Sequence, residues 1–553
     1  MAPSKIDADA LPPNVETLSK AAPLQNGGEP DDWTHGLKSI WPVALDLAGG
    51  SLPCRLEGEV QHLVVLGEIP KAIDGSFYRV MVDPFVPPDP NNVPLDGDGN
   101  ISVFQFHDGR VSMKTRYVET ERYKLERKAN KALFGLYRNP FTHHPCVRAA
   151  VDSTANTNLV YWGGHLLALK ESALPYAVDA QTLETVCYDP FGQIKSKTFT
   201  AHPKYDPYKD ELVVFGYEAK GLATTDVVTY SITRSGKIVN EFWLHQPHPT
   251  PGFIHDCAIT PNWLILFVWP FEASIERMKR GGHHWAWSND RGMTFIVVPR
   301  DAAKPVAPGW KPNEVRSYGW KTGMAIHTAA AWEDPSTKQI FVESSRVHDN
   351  PFPFFPPDTP ASHMPEPDTT ADYVRWTIDP TQPDRSQLPD PQVIVDVPAE
   401  FPRIDERFMT SPYDVVWMNV FVPQHSDGSK NIYHGLNGLA MHRHSTNETK
   451  WFYAGDESLV QEPIFVPRTK DAPEGDGWVI ALVERTGKAA RCDLVVLDTR
   501  EFEKPVAIVQ LPFHMKAQVH GNWIEADTLG GYRSITREGK DFEISGKGAL
   551  ERL

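Results

Sequence analysis

Short apolar runs of strand-forming residues, each closed by a turn cluster, follow one another along most of this chain, and nothing else in it narrows the fold so far. LVYWGGHLLALKES (from Leu159), DELVVFGYEA (from Asp210), WLILFVWP (from Trp263), GWVIALVERT (from Gly477) and DLVVLDTREFEKPVAIVQL (from Asp493) are examples. They mix alternating and wholly apolar stretches, as in sheets buried on both faces. A weak echo of strand, Asp-containing turn and strand recurs in AVDAQTLETV, TAHPKYDPYKDELVVFG, AAWEDPSTKQIFVES and LVVLDTREFEKPVAIVQL. Hairpins repeated in this way along an all-β chain suggest propeller blades, while a jelly roll or several sandwiches also fit the bare pattern. Long amphipathic helices are few, and VETERYKLERKANKALFG, from Val118, is the best candidate.

A chain of 553 residues has room for three or four domains, but a propeller grows by repetition around one axis. No strong break interrupts the sequence after Trp41. Residues 1–35, rich in Pro, Asp, Gly and Asn, are expected to be disordered or loosely attached, and residues 36–553 to form a single domain. Proline clusters at 84–90 and 351–360 predict long loops. The net charge of -16 argues against nucleic acid as a partner and against a polybasic membrane tether. The five cysteines form no CxxC pair, so a disulfide framework or a zinc-thiolate site is not expected, which suits a reducing compartment. The N-terminus has no signal-like apolar core, and no run approaches the ~18 apolar residues of a membrane span. The expectation is a soluble, cytoplasmic protein without stable membrane insertion, whose Asn447-Glu448-Thr449 sequon is bare surface.

Four of the 21 histidines lie beside apolar strand-like runs: His202 in TFTAHPKYD, His255 in GFIHDCAITPNW, His327 in GMAIHTAAAWED and His520 in AQVHGNWIE. A histidine in such a setting is more often a hydrogen-bonded core residue than a ligand. His62, His248, His442 and His444 sit in polar or loop contexts and are expected at the surface. The adjacent pairs His143-His144 and His283-His284 point to opposite faces of any strand, so neither pair suits one metal. No HExxH helix is present. Residues spread from 202 to 520 meet at one metal only if distant blades converge on an axis. A metal held by four neutral imidazoles keeps its full positive charge, unlike the 2-His-1-carboxylate sites of most oxygen-activating iron enzymes, and this points towards iron and dioxygen.

At these residues the chain resembles the carotenoid cleavage oxygenases, non-heme iron dioxygenases that split carbon–carbon double bonds. AHPKYDP, IHDCAITPNW, HTAAAWED and VHGNW match the family's four iron-binding motifs. LALKES around Glu171, AEFPRID around Glu400 and QEPIFVP around Glu462 match its carboxylate motifs, and GEIPKAIDGSFYRV, near Gly67, resembles its opening strand. VMVDPF at 80–85 departs from the family's Asn-Gly-Pro-Asn-like turn. The resemblance implies a seven-bladed β-propeller, all-β, with loops and short helices forming a cap over an axial metal site. It implies one Fe(II) per chain on His202, His255, His327 and His520. It also implies that Glu171, Glu400 and Glu462 take the other ring N–H of His255, His327 and His520, fixing their tautomers and leaving His202 without a carboxylate.

Within that family the sequence leans towards the cleavers of phenolic alkenes. Tyr137 (in FGLYRNP) and Lys170 (in ALKES) fall where the stilbene-cleaving members place a Tyr/Lys pair on the substrate's para-hydroxyl. ERMKRGGHHWAW, from Glu276, resembles the lignostilbene-cleaving branch, whereas the membrane-docking carotenoid enzymes carry an apolar patch there. A phenol with a pKa near 10 is neutral at pH 7. A lysine ammonium beside it in a low-dielectric cavity favours the phenolate, which feeds electron density to the alkene. Lys170 is then the electrostatic activator and Tyr137 the hydrogen-bond orienter, with Leu95 and aromatic side chains as candidate cavity walls. The implied reaction is cleavage of the central double bond of a 4-hydroxystilbene such as resveratrol or piceatannol, with O2, to two aromatic aldehydes. Isoeugenol cleavage to vanillin and apocarotenoid cleavage are the alternatives. A non-catalytic propeller that binds proteins at its rim ranks low because all four histidines are present, and a retinyl-ester isomerohydrolase is disfavoured by the missing docking patch.

Overall fold

The computed structural model describes residues 53–304, 307–358, 368–426, 428, 430–432, 436–486 and 491–535. The segment 1–35 lies outside them. Among the described residues seven antiparallel sheets of four to six strands form the blades of a propeller, and a two-stranded ribbon, Phe271–Ala273 with Trp285–Trp287, accompanies the fourth blade. The strands nearest the axis are Gln518–Glu525 in the first blade and then Asn158–Trp162, Lys204–Asp206, Phe253–Ile259, Met324–Glu333 and Ala399–Ile404. In the seventh blade Ser458–Val460 and Ile464–Pro467 share that place.

Burial follows position in the blade. Middle strands such as Trp263–Trp269, Thr294–Pro299 and Val415–Val420 are buried at every residue, because each blade face packs on a neighbouring blade. Trp263, Phe267 and Phe295 of the fourth blade thus share a core with Val342 and Trp376 of the fifth. Outer strands meet solvent: Val64 and Leu66 are among the exposed large apolar residues. This layout explains the wholly apolar runs in the sequence.

Two fastenings close the ring. Gln518–Glu525 pairs with Gly75–Val82, with Trp523 opposite Phe77, so the first blade takes its innermost strand from near the C-terminus. Val64–Gly67 in turn forms the outer edge of the seventh blade, against Pro505–Gln510. The departure at 80–85 leaves this blade intact. Asp83 accepts hydrogen bonds from the backbone N–H groups of Cys54 (2.8 Å) and Arg55 (2.9 Å), from Asn100 Nδ2 (3.1 Å) and from the Tyr117 hydroxyl (2.7 Å).

The expected helix is shorter than its charge pattern. It spans Glu121–Ala129, capped by the Thr120 hydroxyl, and stops at Asn130 in the left-handed conformation (φ 51°). Glu126 Oε1 then accepts from the N–H groups of Leu133 (2.7 Å) and Phe134 (2.9 Å), holding the next residues as a loop. Two histidines are not surface residues as expected. His442 is 2% exposed, and His444 Nε2 lies 3.1 Å from Glu343 Oε2. Glu343 is fully buried and gathers donors from Tyr373, Arg375 and Tyr413 as well, and that demand draws the His444 loop inward. No helix among the described residues is long and apolar enough to cross a membrane.

Candidate metal centre

Each of the seven blades sends one residue to the axis. His520 comes from the first, Glu171 from the second, His202 from just before the inner strand of the third, His255 from the fourth, His327 from the fifth, Glu400 from the sixth and Glu462 from the seventh. The strand pairing is irregular at most of these positions. The register shifts between Ile254 and Cys257 around His255, between Ala325 and Thr328 around His327, between Glu400 and Arg403, and on the partner strand between Arg79 and Met81 opposite His520. A bulge adds a residue on one strand and turns its side chain out of the alternating pattern, which lets these side chains face the axis.

Ring nitrogens of the four histidines lie within 4.8 Å of one another. His255 Nε2 is 3.1 Å from both His202 Nε2 and His327 Nε2. The opposite ring edges are engaged by carboxylates. His255 Nδ1 contacts Glu171 Oε1, His327 Nδ1 lies 2.5 Å from Glu400 Oε2, and His520 Nδ1 lies 3.0 Å from Glu462 Oε1. Among the described residues no carboxylate lies against His202. An ionised carboxylate only accepts, so the Nδ1 atoms carry the protons and the Nε2 atoms present bare lone pairs. His520 Nε2 is buried without a hydrogen-bond partner.

This donor set fits a metal. Lone pairs converging in a buried space repel unless a cation sits among them. Two imidazole nitrogens bound at about 2.1 Å and at right angles lie about 3 Å apart, close to the spacing here. Neutral imidazoles suit iron, zinc, copper and nickel alike. Burial, with the neighbouring histidines, holds His202 well below its ordinary pKa, and burial brings His520 down to about 4. Burial pushes Glu462 up, but the charges of His520, Arg403 and Arg79 override it and keep the carboxyl well below the usual range. Glu171 Oε2 accepts from the Tyr217 hydroxyl (3.1 Å), which in turn accepts from Arg138 Nη1 (2.7 Å).

The ring of histidines has two unlike faces. Towards the N-terminal ends of the inner strands it is aromatic. Trp269 stands 5.2 Å from the His255 ring, Phe271 and Phe352 pack on Trp269, and Phe355 bridges Phe271 to Tyr137. Lys170 sits over the Tyr137 ring, with Nζ 5.1 Å from its centroid. Lys170 and Glu171 follow the strand His165–Leu169, and one reaches Tyr137 while the other reaches His255. Lys170 Nζ donates to Asn156 Oδ1 (2.9 Å) and to the Leu95 carbonyl (3.3 Å). No carboxylate among the described residues pairs with it. Burial lowers its pKa to about 8. Leu95 was expected as an apolar wall; it touches Lys170 through its backbone, and its side chain packs on the core that contains Tyr137.

Towards the C-terminal ends the face mixes polar and apolar side chains. A cavity of about 280 Å³ opens onto His202, His327 and His520, and its walls include none of Tyr137, Lys170 and Leu95.

Several contributors are invisible in residue patterns. Tyr217 and Arg138 hold Glu171, and Asn156 holds Lys170. Phe401 stacks on His327 at 4.8 Å with a left-handed φ of 51°. Arg138 and Phe401 fall inside FGLYRNP and AEFPRID, but these roles cannot be read from the segments, because each residue acts through a partner elsewhere in the chain. The bulge that holds Phe401 has its only trace in the neighbouring Glu400 segment.

Residues 51–525 match the model of the retinal pigment epithelial membrane protein family. Resveratrol cleavage oxygenase 1 of Botryotinia fuckeliana (strain B05.10) is 63% identical over 547 residues, 99% of this chain and 96% of that protein. Isoeugenol monooxygenase of Pseudomonas putida is 38% identical over 86% of this chain and 97% of that protein. The crystal structure of Pseudomonas brassicacearum lignostilbene dioxygenase superposes with a TM-score of 0.80 at 36% identity, covering 88% of this chain and all of that one.

Proposed function

The chain belongs to the carotenoid oxygenase family, the group described by the retinal pigment epithelial membrane protein model, and on that premise we propose that it is an Fe(II)-dependent dioxygenase that cleaves the central double bond of 4-hydroxystilbenes of the resveratrol type into two aromatic aldehydes. His202, His255, His327 and His520 would hold the iron, and Glu171, Glu400 and Glu462 would orient three of those rings. When bound, Fe(II) would supply the centre that activates dioxygen for addition to the alkene.

The chain's own residues prepare the substrate. The observation that carries the phenolic reading is the state of Lys170. Its ammonium has three N–H donors. Asn156 and Leu95 take two, and the third remains for a substrate oxygen. With no carboxylate paired to it, the charge is available to a phenolate. Tyr137, beside it, orients the same hydroxyl. The aromatic face from Tyr137 through Phe355 and Phe271 to Trp269 offers apolar surface to the two rings and keeps water from the alkene.

The isoeugenol monooxygenase relative supports a second reading, side-chain cleavage of isoeugenol to vanillin. A Lys170/Tyr137 clamp serves any para-hydroxyl. The test is aldehyde formation in air by the Fe(II)-loaded protein, with resveratrol, its 4′-O-methyl ether and isoeugenol in parallel. Cleavage of resveratrol but not of the ether is the expected result. Cleavage of both discards the clamp, cleavage of isoeugenol alone moves the substrate class, and cleavage of none refutes the proposal.

A further inference from the structure

The axial cavity behind the histidines lies on the side of the ring away from Lys170 and Tyr137. Its walls come from residues C-terminal to the axial side chain on successive inner strands: Asp256 after His255, Thr328 and Ala329 after His327, Arg403 after Glu400, and Asn522 after His520. The opposite, aromatic face is built by residues N-terminal to them or beyond, such as Phe253. Parallel inner strands therefore sort the two faces to opposite ends of the axis. The cavity begins at His520, 3% exposed, and ends among Glu406 and Arg234, which are 46% and 47% exposed, and the exposed Thr528. It thus joins the buried Nε2 cluster to solvent.

No basic side chain on its wall is left unpaired to repel a cation. Each basic side chain on the wall is held by a carboxylate: Lys204 by Asp256 (2.8 Å), Arg403 by Glu406 (2.6 Å) and Arg234 by Asp210 (2.7 Å). A hydrated dication loses tens of kcal/mol of solvation in an apolar medium unless polar groups replace its water. Trp269, Phe271 and Phe352 on the aromatic face offer no such replacement. On the other side the cavity, about 280 Å³, leaves room for the ion's own waters, with the Thr328 hydroxyl and the Asn522 side chain on its wall.

We propose that this axial cavity is the loading path by which a hydrated divalent cation reaches His202, His255, His327 and His520, separate from the aromatic face that takes the organic substrate. The inference rests on the four-histidine metal reading. A path differs from a binding group in one measurable way: narrowing it slows capture and release together and leaves the dissociation constant in place, whereas damage to the site changes that constant.

The experiment uses the metal-free full chain and Co(II), whose visible absorption reports imidazole coordination. Capture is followed by stopped flow, release by chelator challenge and affinity by equilibrium titration. Val160, on the cavity wall, is changed to Trp. Thr528, exposed at the mouth, is changed to Arg, so that one of the two variants leaves the blades untouched. Val160→Trp is expected to slow capture and release at least tenfold each, with the dissociation constant within threefold of wild type. Thr528→Arg is expected to slow capture in a way that added salt relieves. A wild-type Co(II) signal together with unslowed capture in both variants overturns the path alone. No wild-type signal, or a signal unchanged in His327→Ala, overturns the metal site and the path with it.

Discussion

Replacing Lys170 by Met separates what this side chain does for the fold from what it does for a substrate. Burial holds the ammonium at a pKa of about 8, against 10.5 for an ordinary lysine. At pH 7 the charged form therefore costs the folded state about 3 kcal/mol. The folded pKa is depressed, so this penalty is complete below pH 8 and fades between about 8 and 10.5. Methionine removes the penalty and gives up two hydrogen bonds, worth about 1 kcal/mol each. Neither acceptor is orphaned, because Asn156 Oδ1 keeps the Thr157 hydroxyl (3.0 Å) and the Leu95 carbonyl keeps Asn156 Nδ2 (3.1 Å). Stability at pH 7 should therefore hold or rise by about 1 kcal/mol. A charged hydrogen bond to a developing phenolate is worth about 1.5–3 kcal/mol, so kcat/KM for a 4-hydroxystilbene should fall roughly 10- to 150-fold. The advantage of the phenol over its 4′-O-methyl ether should shrink by the same factor. Steady-state kinetics on both substrates, beside a thermal unfolding curve, measure this. A kcat/KM for the phenol within threefold of wild type, or an equal loss on both substrates, would refute the electrostatic role.

The remaining predictions concern pH and the metal. In the wild type, kcat/KM for the phenol should decline above pH 8 by up to tenfold per unit as Lys170 loses its proton, and Lys170→Met should lack that limb in a pH–rate profile. Glu400→Gln should weaken metal binding about 10- to 100-fold with little effect on the metal-free fold, because Glu400 meets His327, Ser345 and a backbone N–H but no arginine. Glu462→Gln should in addition destabilise the metal-free protein by about 3–5 kcal/mol, since it strips the counter-charge from fully buried Arg79 and from Arg403; chemical denaturation compares the two. His327→Ala should abolish stoichiometric metal retention, read by elemental analysis after gel filtration.

The strand runs were legible because a middle blade strand, apolar on both faces, leaves a distinctive signature, and the histidines because four motifs coincided. The histidine–glutamate pairing was accessible only through resemblance. His255 and Glu171 belong to different blades, and no spacing rule relates them. Strand alternation does not account for the divergence of Lys170 and Glu171, because both residues lie just past the strand end at Leu169. His444 was misplaced because its loop sequence is polar, while its position is set by the unmet demand of Glu343, a hundred residues earlier. The bulges went unseen for a related reason: an extra residue in one strand is defined only against its partner.

The closing strand sets a timetable. His202, His255 and His327 leave the ribosome well before His520, and at roughly 5–20 residues per second the interval from the first to the last is on the order of half a minute. Throughout it, Gly75–Val82 waits with an unpaired edge for Gln518–Glu525, the kind of edge that recruits other chains. The fourth imidazole and the last blade strand arrive in one step. Metal retention thus certifies that the strand Gln518–Glu525 has been made and that the ring has shut, and a chain cut short before residue 518 forfeits both together.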